Sequence, residues 1–197
     1  MKVEVIDCTD NPIDIVSECA GISYGKENTS YKRAYNCMKA GHGSVFEHAK
    51  FTVRVSDISR ACSHQLVRHR MASYTQESQR YVKVDTFEDW YVTPPSMEGS
   101  ECYRQAMADA AEAYTDALAE GIKPEDARYM LPNACKTTVN VTMNYREFFW
   151  NFLVERDSVR AQWEIRNLAQ MIKEALWDYG GQTRELIEMY EEVVVNG

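Results

Sequence analysis

Two well-separated stretches of period-two patterning constrain this chain most. Phe51, Val53 and Val55 alternate with Thr52, Arg54 and Ser56, and Val139, Val141 and Met143 alternate with their neighbours far downstream. Successive strand side chains point to opposite faces, so each stretch reads as a half-buried strand. Val3 and Val5 mark a shorter one. Around them the spacing is helical. Residues 10–20 and 29–40 read as helices, the second opened by Thr29-Ser30 and closed by Gly41. Ile58, Ala61, Cys62, Gln65, Leu66 and His69 follow helical spacing, so the first long strand leads into a helix carrying Arg68, His69 and Arg70 at its C-terminal end. Cations suit the negative end of a helix dipole. Residues 71–83 have no clear period and read as a loop, and Thr93-Pro94-Pro95-Ser96 is a break. A helix is expected from about 97 to 120, stopping at Gly121, and Pro124 is placed as the first residue of a short helix ending before Pro132. Asn144 can cap a helix through about Arg156, Asp157 or Ser158 can cap the next, which runs to Tyr179, and a last helix fills 183–194. Helices with a few separated strands predict an α+β fold, several helices packed around a small, mostly antiparallel sheet. No linker or repeat divides residues 1–197, so a single domain is expected.

Composition narrows the function. The net charge of -8 argues against a general nucleic-acid binder, because nonspecific affinity comes from Lys and Arg neutralising phosphates. No apolar run approaches the roughly 20 residues needed to span a bilayer, and charges interrupt the first apolar stretch, so no membrane or secretory segment is expected. Six cysteines (8, 19, 37, 62, 102 and 135) form no Cys-x-x-Cys pair and read as reduced, mostly buried thiols, in keeping with a cytoplasmic location. The four histidines (42, 48, 64 and 69) include no HExxH pair, and no metal is expected.

The charge distribution says more than its sum. From Arg54 to Arg80 there are five arginines, no lysine and only Asp57 and Glu77 as acids. Arginine exceeds lysine where planar, bidentate contact with a phosphate or base edge is wanted. The stretch Gln65–Arg80 holds three guanidinium groups, one imidazole, two serine hydroxyls and three carboxamides. Such a segment is costly to order unless an anion holds it. Ser78 and Arg80 would point the same way if that part is extended, and could clamp one phosphate. The plainer alternative is a solvated, charged loop.

Arg68-His69-Arg70, seven residues, then Ser78 resembles the hallmark motif of flavin-dependent thymidylate synthases. Gly41-His42-Gly43-Ser44-Val45-Phe46-Glu47-His48 with Phe51-Thr52-Val53, Ala127-Arg128 with Leu131-Pro132, Asn144-Tyr145-Arg146, and Arg156 through Ala161-Gln162-Trp163-Glu164-Ile165 are similar to further segments of that family, in the same order. The resemblance implies a homotetramer that binds FAD, dUMP, NADPH and methylenetetrahydrofolate at sites where subunits meet. It implies that Ser44, Arg68, His69, Arg70, Asn144 and Arg146 hold FAD. Gln65, Arg68, Ser78, Arg80 and Arg128 would hold dUMP, with Arg156 beside the pyrimidine as the catalytic group.

Two departures from the family pattern matter. The family often has Glu two residues before the motif serine, near both ligands, where this chain has Gln76 followed by Glu77. Between Arg146 and Arg156 this chain is one residue longer, so a further flavin contact falls to Trp150 or Asn151, with Asn151 favoured. Glu47 either contacts flavin or pairs with an arginine. The implied chemistry, reductive methylation of dUMP to dTMP, needs no protein nucleophile. A non-catalytic nucleotide-binding module and an RNA-binding protein with an Arg-rich loop are the competing readings.

Overall fold

The computed structural model describes residues 1–26 and 28–195. Its centre is a four-stranded, fully antiparallel sheet, β1 (Lys2–Cys8), β2 (Lys50–Ser59), β3 (Ala72–Gln76) and β4 (Lys136–Asn144), in the order β1-β2-β4-β3. The two long alternating stretches are the central neighbours. Phe51 lies opposite Met143, Val53 opposite Val141 and Val55 opposite Val139, and all six are buried. Each such side chain contributes roughly 1.5–3 kcal/mol by leaving water. The other face is polar, and the Thr52 and Thr142 hydroxyls meet across it at 2.9 Å.

Helices cover the apolar face: α1 (Pro12–Ile22), α2 (Tyr31–Lys39), α8 (Trp163–Tyr179) and α9 (Gly181–Tyr190). From α8, Ile165, Leu168, Ala169, Ile172 and Leu176 enter the main core. Between β2 and β3 lies α3 (Arg60–Leu66); between β3 and β4 lie α4 (Glu101–Ala119) and α5 (Pro124–Ala127), with small cores of their own around Trp90, Met107 and Cys135 and around Tyr114, Ala117 and Ala127. The α+β expectation holds, with a sheet that is antiparallel throughout.

Four local expectations are corrected. Residues 72–76, read as loop, form the edge strand β3, with Ala72, Tyr74 and Gln76 facing the same way as Met143, Val141 and Val139. The long helix in the middle of the chain starts at Glu101 rather than 97, capped by Ser100, whose hydroxyl accepts from Tyr103 N. The next-to-last helix starts at Trp163, not after Asp157 or Ser158, because Gln162 is its cap: Oε1 accepts from Glu164 N (3.0 Å) and Ile165 N (3.2 Å). The helix expected from Asn144 to Arg156 is not uniform. It opens as α6 (Tyr145–Glu147), widens into a π turn over Phe148–Leu153 and closes as α7 (Val154–Arg156). A π turn closes i→i+5 and so holds one residue more than an α turn.

Candidate active site

The arginine-rich segment is aimed by its two anchors. Upstream, β2 carries a bulge between Val55 and Ile58, with Asp57 at φ 59, and then delivers Ser59. Ser59 Oγ caps α3 by accepting from Cys62 N (2.9 Å), and donates to Glu164 Oε2 at 2.5 Å, while Ser59 N donates to Glu164 Oε1 at 2.7 Å. Downstream, Tyr74 of β3 donates its hydroxyl to the His69 carbonyl at 2.7 Å and sits 3.0 Å from that of Leu66. The Arg68-His69-Arg70 turn is thereby closed between a helix end and a sheet edge.

That turn faces an open cleft of about 700 Å³ lined by His64, Gln65, Arg68, Arg70, Glu155 and Arg156. Four residues singled out from the sequence, Gln65, Arg68, Arg70 and Arg156, converge here from α3, the turn after it and α7. His69 is different: its side chain is 4% exposed and lies behind the cleft wall, its ring edge-on to Phe152 with centroids 5.0 Å apart. Arg156 Nε donates to His69 Nε2 at 2.9 Å, so Nε2 is the bare nitrogen and Nδ1 carries the proton. Nδ1 in turn lies 3.3 Å from Glu147 Oε1. Burial, seconded by the Arg156 charge, holds the imidazole below its ordinary range, against the opposing pull of Glu147 and Glu155. The ring is therefore neutral, and its 3.9 Å approach to Glu155 is no ion pair.

A second, smaller cleft of about 290 Å³ opens on the other side of His64, lined by Arg60, His64, Gln79, Arg128, Tyr129, Leu131, Pro132 and Asn133. Arg128 is held by its Nε bond to the Glu125 carbonyl (3.0 Å). Arg60, which the sequence reading passed over, donates Nη2 to the Glu77 carbonyl at 2.8 Å, while its buried Nε has no hydrogen-bond partner among the described residues. Its place on α3 with Gln65, shortly ahead of Arg68, was the available signal.

The other expected residues lie nearby but in different surroundings. The backbone at Ser78 is not extended: its hydroxyl accepts from Arg80 N (3.3 Å) and its carbonyl from Tyr81 N and Val82 N, closing a turn that leaves Arg80 exposed beside the Tyr81 ring. Gln76 points inward, its Nε2 donating to Ser63 Oγ (3.0 Å) and Thr137 Oγ1 (3.2 Å). A carboxylate there could not make those donations, which accounts for an amide at this position. Asn144 Oδ1 caps α6 by accepting from Glu147 N at 2.8 Å. Arg146 pairs with Glu47, so the pairing alternative for Glu47 is the observed one, and packs on Gly43, where an added Cβ would stand 3.2 Å from Arg146 Nε. Ser44 is exposed on the same 3-10 turn (Gly43–His48). Asn151 donates Nδ2 to Glu147 Oε2 at 2.6 Å, whereas Trp150 packs on Phe46, centroids 5.2 Å apart. Glu147, the hub joining His69 and Asn151, carried no signal in sequence.

All six cysteines are free, and Cys8, Cys37, Cys62 and Cys135 are buried. Burial pushes the Cys8 thiol up to about 11 and those of Cys62 and Cys135 upward as well. Among the described residues no three His, Cys, Asp or Glu side chains converge to hold a metal, and no helix is long and apolar enough to cross a membrane.

This α+β fold turns guanidinium groups from a helix, a turn and a second helical segment toward adjoining clefts, a donor set suited to anionic oxygens. Residues 4–179 match the family model described as thymidylate synthase complementing protein. The chain is 38% identical to the flavin-dependent thymidylate synthase of Pyrococcus furiosus, covering 88% of this chain and 78% of the relative. It is 44% identical to that of Geobacter sulfurreducens, covering 86% and 79%. The chain belongs to the flavin-dependent thymidylate synthase family, and so to an enzyme family. Solved structures share the fold. The flavin-dependent thymidylate synthase of Helicobacter pylori, complexed with FAD and dUMP, superposes with a TM-score of 0.78 at 24% identity, covering 95% of this chain and 98% of that one. A UMP/dUMP methylase of Streptomyces cacaoi, bound with 5-Br dUMP, gives 0.80 at 23% identity, covering 97% and 94%.

Proposed function

We propose that this chain methylates dUMP reductively to dTMP in the cytoplasm, with FAD as cofactor and methylenetetrahydrofolate and NADPH as co-substrates. We infer further that it works as a single domain over residues 1–197 within a homotetramer. The observation that carries the reading is the convergence of Gln65, Arg68, Arg70 and Arg156 on one 700 Å³ cleft, within the usual size range for small-molecule sites.

The residues present fit a flavin nucleotide. Its pyrophosphate needs fixed cations, and Arg68 and Arg70 supply two on an open wall. The Gly43 turn, with no side chain between it and Arg146, brings backbone close to a third. Arg68, His69, Arg70, Arg146, Asn144, Ser44, Asn151 and Gln76 are the proposed flavin set. Of these, His69, Asn144 and Gln76 act from within, through the groups they hold. When bound, the flavin supplies hydride chemistry that no side chain here can supply.

The chain's own part is positioning and electrostatics. Arg128, Ser78, Arg80, Gln65, Arg68 and Gln76 form the proposed dUMP set. Phosphate contacts from Arg128, Ser78 and Arg80 orient the base with binding energy remote from the reacting carbon. Arg156, fixed at Nε, would stabilise negative charge on the pyrimidine as the ring is activated. No side chain is assigned a covalent role, since the buried thiols are poor thiolates. Exposed Met71 and Tyr81, in and beside the arginine-rich segment, and exposed Tyr129, which lines the smaller cleft, support subunit contacts there.

The test is an anaerobic assay for dUMP conversion to dTMP. Product is expected only with FAD, NADPH and methylenetetrahydrofolate together. Protein that fails to take up FAD and makes no dTMP would overturn the reading in favour of a nucleotide-sensing module. Retention of RNA at moderate salt would point to an RNA binder. Light scattering should give four chains per particle.

A further inference from the structure

Arg156 lines the cleft wall, yet what holds it lies behind that wall. Glu147, 5% exposed, stands at the start of the widened helical segment, with its carboxylate between two partners. Oε1 lies 3.3 Å from His69 Nδ1, and Oε2 accepts from Asn151 Nδ2 at 2.6 Å. The Glu147 backbone is anchored as well, because Asn144 Oδ1 accepts from its N–H. The widened turn decides which residue faces which: Glu147 and Asn151 share one side of it, while Trp150 goes to the Phe46 side.

A neutral imidazole in water favours neither nitrogen strongly, and a neighbour decides which one keeps the proton. We infer that Glu147 is a positioning residue: by engaging the Nδ1 proton of His69 it keeps Nε2 bare, and bare Nε2 fixes the Arg156 guanidinium at its Nε, with the terminal amino groups turned to the cleft and Nη2 beside the exposed Glu155 carboxylate. The inference rests on the proposed role of Arg156 at the pyrimidine. In the opposite tautomer two N–H groups would face each other across 2.9 Å, and Arg156 would have to swing away. Glu155 could not hold it in place. That carboxylate is 60% exposed and 3.4 Å from Arg156 Nη2, and exposed pairs of this kind contribute about 0–1 kcal/mol. The buried chain Glu147–His69–Arg156 is the stronger constraint, because its low-dielectric surroundings strengthen each bond and penalise a missing partner.

The first measurement needs no substrate. Nitrogen-15 spectra of the purified protein at pH 7.5 should show His69 neutral, with Nδ1 protonated and Nε2 bare. A protonated Nε2, whether in the opposite tautomer or in an imidazolium, would overturn the inference, and no variant has to fold for this result to count. Two substitutions then separate aiming from simple support. Glu147→Gln keeps an oxygen for the Nδ1 proton and should retain the tautomer, with kcat within about fivefold of the parent, since the acceptor survives. Glu147→Met removes the acceptor. It should lose the Nδ1–H signal and lower kcat by roughly tenfold or more, out of the 10²–10³-fold that one preorganised donor is worth, with KM for dUMP changed less. Equal kcat in both variants, or a Met variant as active as the parent, would overturn it. An intact Nδ1–H signal in protein that forms no dTMP would strike the functional reading instead, leaving the His69 geometry standing.

Discussion

Glu164, two residues into α8 and 2% exposed, grips Ser59 twice at the joint between β2 and α3, through the backbone N–H at 2.7 Å and the hydroxyl at 2.5 Å. The Ser59 hydroxyl in turn caps α3, the helix that carries Gln65 and leads to Arg68. The helix that follows Arg156 in sequence is thus tied to the helix that precedes Arg68, and the two sides of the larger cleft share one buried carboxylate.

Glu164→Ala should therefore destabilise the protein by about 2–4 kcal/mol, the cost of leaving buried donors without an acceptor. Glu164→Gln, which keeps one acceptor oxygen, should cost less. Denaturant unfolding monitored by circular dichroism measures both. Equal, small losses would show that the joint is held by packing alone.

Asn144→Ala removes the cap of α6 and should cost about 1 kcal/mol, whereas Asn144→Asp should cost only a few tenths because an oxygen remains for Glu147 N. Thermal unfolding of the three proteins side by side gives the ordering.

His69 makes stability depend on pH in a defined direction. Its folded imidazole titrates below the ordinary 6.5 because of burial and then Arg156, so as pH falls through 6.5 the unfolded chain takes up a proton that the native state refuses. The stabilisation is complete above that value and is lost progressively below it. Between pH 7 and 5.5 the denaturation midpoint should fall further in the parent than in His69→Gln, which has nothing to titrate there. Parallel curves would contradict the assignment.

At pH 8 a thiol shifted to about 11, as for Cys8, is thiolate in only about one molecule per thousand. Native protein treated with iodoacetamide should be modified first at exposed Cys102, while Cys8, Cys62 and Cys135 react only on unfolding. Mass spectrometry reads the order. A dUMP adduct trapped on any cysteine during turnover would refute the proposal of chemistry without a protein nucleophile.

Ser78→Ala should weaken dUMP binding by roughly tenfold, about 1.4 kcal/mol, with no covalent intermediate lost. Isothermal titration with dUMP tests this. Unchanged affinity would remove Ser78 from the phosphate contacts.

The central strands were legible because Val53, Val55, Val139 and Val141 bury one face and leave the other polar. The strand β3 was hidden because one of its inward positions is Gln76, whose amide finds Ser63 and Thr137 and so never declares itself apolar. The start of α8 was misplaced for a related reason. Asp157 spends its carboxylate on Gln170 (3.0 Å) and Lys173 (3.3 Å), and Ser158 turns its hydroxyl to Arg160 N, so neither caps a helix. For the candidate site, the arginines announced themselves by local density, and four of the expected residues share a cleft. Glu147 did not, because a lone acid on a helix becomes a hub only through partners 78 residues away in sequence.

The wide turn of residues 148–153 sets the rotational phase between the two halves of one rod. A chimaera spliced inside it and left one residue short would turn Arg156 by roughly 100° about the helix axis, facing it away from His69 while every residue type stayed the same.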